Sequence, residues 1–381
     1  MTPRPVKFTP VAIGRDAPMT SDSIQQFLTE RCAAGDFPGF AWRVARGERV
    51  LAQGRGGRAM VVPRELSVAD DTIWDLASLT KCFVTAPLAA LLEKAGVVSL
   101  GASLETILPD LPADKRALTL EMLLTHTAGF PAWAPSYLFI ESRRELEAWL
   151  RALPLARAPG TKVVYSDPGY LLAGLCVEKL AGMSLEDFFA QQFARPLHLR
   201  DTGFNPPFTA RRRVAASELG NAHERALAEA DPEFAARAVN YSWPSELLWG
   251  TVHDGNARHL GGVAGHAGLF GTLPELHRLA HHLVSGPLRE IFTTARADDG
   301  ENARTLALVL GRTRGCAADG ALAGNSVGHT GFTGVSWHYE PDRDRHYLLM
   351  TNRTHPAIPP ADTTAWRREF LRRASMLPEG A

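Results

Sequence analysis

Ser78-Leu79-Thr80-Lys81 opens a strongly apolar segment that runs to Ala95 and is stopped by Gly96. At i and i+3 the serine and the lysine share one helix face. A serine near a helix N-terminus gains from the positive end of the helix dipole, and a lysine in dry surroundings is pushed toward the neutral amine that can take the serine proton. The pair therefore predicts nucleophilic chemistry at Ser78, with Lys81 as the neighbouring base and a covalent acyl-enzyme. By spacing alone the signal is weak, because S-x-x-K arises by chance once in about 200 to 300 residues at average composition. Two further clusters give it company. Tyr165-Ser166-Asp167 directly precedes a helix, where Asp167 reads as the N-cap and Pro168 as the first helical residue, so that a phenol is presented to a cleft. His329-Thr330-Gly331-Phe332 directly precedes a strand over residues 335–339.

The elements that must position these side chains are sheet at both ends of the chain and helix between. Residues 21–34 read as a helix behind a serine cap, and residues 40–54 as two strands turning at Gly47. Toward the other end, Val335, Trp337 and Tyr339 alternate with Ser336 and His338, and a charged turn at residues 342–345 leads into an apolar strand over 347–350. Residues 306–310 read as one more strand and 363–373 as a closing helix. In the middle, Ser142 and Glu145 form a capping box for a helix over 143–152, a second helix runs from Pro168 to about Leu180 with Gly182 ending it, and Ser184 opens a third. This pattern predicts an α+β fold in which one antiparallel sheet, built from both termini and flanked by helices, carries an inserted, mainly helical domain. The expected boundaries are 1–75 with 260–381 for the sheet domain and 76–259 for the helical one, with the active site in the cleft between them. Residues 205–260 are read as loops and helix lining that cleft. The glycines at 261, 262, 265, 268 and 271 are read as tight backbone packing, since no G-x-G-x-x-G follows a strand.

Composition removes several function classes. Lysine plus arginine equals aspartate plus glutamate at 41 each in 381 residues, so no net field favours nucleic acid or an anionic membrane, and the expected partner is a small molecule. Hydrophobic residues at 45% and charged residues at 22% are those of an ordinary globular protein. No cofactor motif is present. The 13 histidines include no H-E-x-x-H, no P-loop or G-x-S-x-G elbow occurs, and the four cysteines form no C-x-x-C, which points to free thiols and no metal. Without an apolar leader in the first residues or a run of about 18 apolar residues, the expected location is the cytoplasm.

The order Ser78-x-x-Lys81, Tyr165-x-Asp167, His329-Thr330-Gly331 resembles the signature of the β-lactamases and penicillin-binding proteins. Within that superfamily it is similar to the class C β-lactamases and related esterases and D-amino-acid peptidases, which carry Tyr-x-Asn as the second element. The phrases Leu123-Leu124-Thr125-His126-Thr127-Ala128-Gly129 and Gly328-His329-Thr330-Gly331-Phe332 look like the same group. The resemblance covers roughly residues 20–370. It implies Ser78 as nucleophile, Lys81 and Tyr165 sharing proton transfer, and the backbone N–H groups of Ser78 and Phe332 as an oxyanion hole. It also implies a substrate edge lined by Asp167, His329, Thr330 and Gly331. Asp167 replaces the usual Asn, and His329 replaces the commoner Lys with a group that titrates near neutrality. The implied function is hydrolysis of an ester, amide or D-amino-acid peptide bond. The alternative is a penicillin-binding or acyl-sensing module that traps an acyl group without turnover.

Overall fold

Gly47, at φ +53°, sits in the left-handed region that a glycine adopts without steric penalty. It turns β1 (Gly39–Arg46) back onto β2 (Arg49–Met60). The remaining strands, in chain order, are β3 (Leu66–Ser67), β4 (Ile73–Asp75), β5 (Gly203–Phe204), β6 (Leu269–Thr272), β7 (Ala297–Asp298) and β8 (Ala303–Arg304). They are followed by β9 (Val309–Leu310), β10 (Val327–Thr330), β11 (Ser336–Glu340) and β12 (Arg345–Thr351). The computed structural model describes residues 20–358 and 362–378; the reading of the first residues as lacking a leader lies outside that set. Among the described residues no helix is long and apolar enough to cross a membrane.

Nine strands form one antiparallel sheet in the order β3-β2-β1-β12-β11-β10-β9-β8-β7, so the two ends of the chain meet where β1 pairs with β12, Phe40 opposite Thr351 and Arg46 opposite Arg345. Period-two alternation serves both faces. Phe40, Trp42, Val44, Tyr347 and Leu349 pack with Ile24, Leu28, Trp366 and Phe370, from the terminal helices Ser21–Ala33 and Thr363–Ser375. Ala41, Leu348 and Met350 face the other way, into a larger core shared with Trp337, Phe83 and the helices of the middle region. Because both faces are covered, β12 is buried along its whole length, even at Arg345 and His346.

Several local readings are corrected. Thr20, not a serine, caps the first helix, and Ser166, not Asp167, caps Asp167–Ala181 by accepting from Gly169 N. Ser142 donates to the Glu145 carboxylate rather than capping backbone, and a 3-10 turn precedes the α-helix Leu146–Ala152. The strand expected over 306–310 shrinks to β9, since Thr305 Oγ1 holds the Leu308 N–H in a turn. The small sheet β4-β6-β5 has no counterpart in the reading, because strands of two to four residues carry too few positions to show a period.

Glycine spacing over 261–271 does mark close backbone approach. A Cβ on Gly265 would lie 2.1 Å from the Tyr170 carbonyl and 2.9 Å from Gly174 Cα, and one on Gly268 (φ +117°) would lie 2.2 Å from the Gly262 carbonyl. This loop thus lies directly on the helix Asp167–Ala181, and neither backbone can yield to a side chain. Gly265→Ala is expected to overpack this contact and destabilise the protein by about 1–3 kcal/mol or more, with a lower melting temperature, whereas Gly261→Ala, where nothing lies within 4 Å, loses only what its φ of +84° imposes. Equal melting temperatures for Gly265→Ala and the wild type would contradict the contact.

Candidate active site

Ala77 precedes the serine at φ +45°, a left-handed conformation that a non-glycine residue keeps only when its surroundings impose it. They do so through Asp75, the last residue of β4. Its Oδ1 accepts the Ala77 N–H at 2.9 Å, and its Oδ2 accepts the His253 N–H at 2.8 Å. Thr80 Oγ1 donates to the Ala77 carbonyl at 2.6 Å and accepts from Leu269 N at 3.0 Å. The bend lifts Ser78 to the mouth of a helix that begins with a π-helical turn over Lys81–Thr85 before Ala86–Lys94, and Gly96 ends it at φ +71°. π-turns of this kind recur at functional sites because they rotate one side chain out of the α register.

Lys81 is the centre of the arrangement. Its ammonium is wholly buried and lies within hydrogen-bonding distance of four acceptors: Tyr165 OH at 2.6 Å, Asp167 Oδ1 at 2.7 Å, Ser78 Oγ at 3.1 Å and the His266 carbonyl at 3.1 Å. Burial by itself favours the neutral amine, and on that ground the sequence reading expected one. Asp167 and Tyr165 reverse the balance, by charge and by hydrogen bonding, and Lys81 titrates above the ordinary lysine value. Lys81 is therefore an ammonium ion. Tyr165 donates to Ser78 Oγ at 2.7 Å, and burial, then the Asp167 charge, push its phenol up to about 12 against the lowering effect of Lys81. Phenol and ammonium are both protonated at neutral pH.

His126 holds the Tyr165 segment from behind. At φ +61° it ends the helix Leu120–Leu124, its Nδ1 accepts the Ser166 N–H at 3.0 Å, and its ring packs 4.7 Å from Tyr165 and 4.9 Å from Tyr170. His126 thus holds the turn after its helix. The glycine loop supplies a contact the sequence reading did not anticipate, since it brings the His266 carbonyl to Lys81 and the Gly265 carbonyl to Thr85 Oγ1 at 2.6 Å. His266 Nε2 in turn bonds Asp254 Oδ1 at 2.8 Å.

β10 forms the opposite wall. Its His329, Thr330 and the following Gly331 and Phe332 line a cavity of about 530 Å³ together with Ser78, Tyr165 and Asp167. All eight residues singled out in the sequence thus meet at one cavity, except that Lys81 lies beneath its floor, and His223, Glu224, His253 and Asp254 from the 205–260 region line it too. A Cβ on Gly331 would meet the Leu76 carbonyl at 2.9 Å, so only glycine lets β10 approach the serine turn so closely. Among the described residues neither Ser78 N–H nor Phe332 N–H has a hydrogen-bond acceptor, and both flank the cavity. Phe332 is held between His253 and His223, with ring centroids 5.4 and 5.0 Å away, and the Arg353 guanidinium 4.7 Å over its face.

His329 is not the near-neutral switch its type suggested. Its Nδ1 donates to the Thr330 carbonyl at 2.8 Å, and burial, then Lys81 and Arg304, hold its titration well below the ordinary histidine value. As to metals, the one group of three ligand-type side chains within reach of a shared ion among the described residues is His281, Asp344 and His346, outside the cavity. There His346 Nδ1 accepts the Trp337 indole N–H at 3.3 Å, which puts the ring proton on Nε2, the only other donor position.

A family model described as Beta-lactamase matches residues 24–371. The chain belongs to that family. Over 371 residues it is 29% identical to the N-acetylmuramyl-L-alanine amidase of Bacillus subtilis (strain 168), covering 88% of this chain and 82% of that one. It is 28% identical over 337 residues to a putative D-alanyl-D-alanine carboxypeptidase of Escherichia coli (strain K12), covering 79% and 73%. Among solved structures, the class C beta lactamase from Rhodobacter sphaeroides matches with a TM-score of 0.70 at 19% identity, over 93% of this chain and 99% of that one. EstCE1, described as a hydrolase with promiscuous acyltransferase activity, matches with 0.69 at 19%, over 92% and 98%. Identity at that level speaks for the fold: the β-lactamase one, as expected.

The buried imidazoles of the site set its acid limit. His126 and His329 titrate well below the ordinary value, and His338, beside Gly328, at about 3, with burial the leading cause for each. Their folded values lie below the unfolded one of ~6.5, so the unfolded chain binds more protons as pH falls. The stability they contribute is present above pH ~6.5 and lost on going down toward their folded values, at up to ~1.4 kcal/mol per pH unit for each. Melting temperatures should fall from pH 7.5 to 4.5, less steeply in His338→Gln; a profile flat over that range would contradict neutral, buried imidazoles.

Proposed function

We propose that this protein is a serine acyl-transfer hydrolase, cleaving an amide, peptide or ester bond through a covalent intermediate on Ser78. The observation that carries the reading is the convergence on one oxygen: Ser78 Oγ lies 2.7 Å from Tyr165 OH and 3.1 Å from Lys81 Nζ, at the mouth of the cavity. In this reading Ser78 Oγ attacks the substrate carbonyl carbon, and the N–H groups of Ser78 and Phe332 receive the oxyanion. Since Lys81 and Tyr165 are both protonated, neither takes the serine proton without passing one on. Asp167, 2.7 Å from Lys81 Nζ, completes the relay. As the Oγ–C bond forms, the serine proton moves to Tyr165 oxygen, a phenol proton passes toward Lys81, and Lys81 releases one to the Asp167 carboxylate. The reverse transfer delivers a proton from Tyr165 to the leaving nitrogen or oxygen as the intermediate collapses to the ester on Ser78. Water then repeats the sequence with the acyl group as its target, releasing the acid and restoring Ser78.

Asp167 thereby has a role on the lysine side of the site rather than on the substrate. The relatives named amidase and carboxypeptidase support amide and peptide substrates, and the same attack of a serine oxygen on a carbonyl carbon serves esters. Fluorophosphonate treatment followed by peptide mass mapping should place one adduct on Ser78, and chromogenic esters and D-alanyl peptides should turn over many times per active site. Tyr165→Phe and Ser78→Ala should each lower kcat by ~10² or more. An adduct on any other residue, or release of a single equivalent of product from every substrate, would overturn the reading in favour of a different nucleophile or a non-turnover acyl trap.

A further inference from the structure

Asp75 ends β4 opposite Phe270 of β6, and at 4% exposure it does not line the cavity. Each of its oxygens nevertheless serves a group that frames Ser78. Oδ1 accepts the Ala77 N–H at 2.9 Å and so fixes the turn that presents the Ser78 N–H. Oδ2 accepts the His253 N–H at 2.8 Å, and the Asp75 carbonyl accepts from Thr333 Oγ1 at 2.7 Å. Thr333 follows Phe332 in the chain, and the His253 ring stacks on the Phe332 ring at an interplanar angle of 29°. One oxygen thus holds the serine turn, and the other two hold the supports on either side of Phe332.

This is an unfavourable place for a carboxyl group. Burial raises its titration above the ordinary aspartate value, against the lowering effect of the two N–H groups. No cation offsets the burial: the His253 imidazole is engaged by Glu218 at 2.9 Å, and Asp254 adds a like charge. Among the described residues Asp75 forms no ion pair. An apolar side chain would pack at the end of β4 without that penalty, but it would accept neither N–H. What the carboxyl achieves here is to hold Ala77 at φ +45° and the His253 backbone at the same time.

We propose that Asp75 is a positioning residue that aligns the two halves of the oxyanion hole, the Ser78 and Phe332 N–H groups, and so acts on the transition state without touching the substrate. The proposal rests on the reading of Ser78 as nucleophile and of those two N–H groups as receivers of the oxyanion. Two donors serve one oxygen only while both point to the place where its charge develops. These two come from distant parts of the chain, and β4 is the element on which both rest. Ser78 follows it in sequence, while the loop after β10 leans on it through Thr333 and through the close approach of Gly331 to the Leu76 carbonyl. An amide in place of the carboxyl has one acceptor oxygen and two donor hydrogens. Whichever N–H keeps the oxygen, the other faces a donor, and either the serine turn or the support under Phe332 is released.

Asp75→Asn tests this, with p-nitrophenyl acetate as substrate and competent sites counted by fluorophosphonate labelling of Ser78. Acylation and deacylation pass through the same hole, so kcat per labelled site should fall ~10²-fold with KM little changed. Phenylboronic acid, which binds Ser78 Oγ as a tetrahedral adduct, should lose affinity by a similar factor. A residue that only stabilises the fold would lower the melting temperature and leave kcat per labelled site and boronate affinity at their wild-type values. That result overturns the proposal, as does a rise in KM with kcat unchanged. Thr333→Val removes the bond to the Asp75 carbonyl and tests the Phe332 half alone, even if Asp75→Asn does not fold. It should lower kcat ~10-fold or more with a parallel loss of boronate affinity; wild-type values of both overturn the proposal. Labelling of the wild type keeps the two readings apart. Label on Ser78 with unaltered variants refutes Asp75 alone, whereas no label on Ser78 refutes the nucleophile on which the proposal rests.

Discussion

A single buried ammonium ion organises this site. Taking the Lys81 charge out of water is unfavourable by several kcal/mol even after relaxation, and the fold offsets it by bringing acceptors from three separate parts of the chain onto one nitrogen. Asp167 and Tyr165 come from the start of one helix, the His266 carbonyl from the glycine loop, and Ser78 from the turn before. Each source needs its own device. Ser166 caps the helix so that Asp167 points inward, Gly265 lets the loop lie against Tyr170 and Gly174, and the π-turn over Lys81–Thr85 directs the lysine toward both. Remove any of these and the charge loses a partner it cannot replace from solvent.

The same economy explains why the cavity wall is built as it is. Around a fixed cation, further protonated groups are disfavoured, and the neighbouring imidazoles His126 and His329 are neutral partly because Lys81 and Arg304 lie close by. Neutral imidazoles can then serve as packing and as one-directional hydrogen-bond partners. His126 accepts from Ser166 N and His329 donates to the Thr330 carbonyl, so each fixes backbone on one side of Ser78. Around Ser78, His126 and His329 thus act as uncharged spacers.

Much of this was legible before any coordinates. The terminal strands announced themselves by period two and by a glycine turn, and both faces of the sheet follow from that alternation. The motif residues fell into one cavity because their order along the chain is tied to a fold in which β4, β10 and the helix Asp167–Ala181 converge. What escaped the reading was spatial. The pairing of Lys81 with Asp167 joins residues 86 positions apart, and with it unseen, burial alone argued for a neutral amine. The Ser166 cap was displaced by one residue onto Asp167, since Asp before Pro is itself a good cap signal.

The central claim is that Lys81 is an ammonium ion in the resting protein and that Asp167 keeps it so. Nitrogen-15 and ε-carbon NMR of selectively labelled lysine reads this directly, with Lys81 assigned by Lys81→Arg. The account predicts that Lys81 remains protonated from pH 6 past ~10.4, the ordinary lysine value, in the wild type, and that Asp167→Asn moves its titration to lower pH, because burial then acts with less opposition. A wild-type Lys81 that loses its proton below that ordinary value, or an Asp167→Asn protein whose Lys81 titrates as the wild type does, would contradict it.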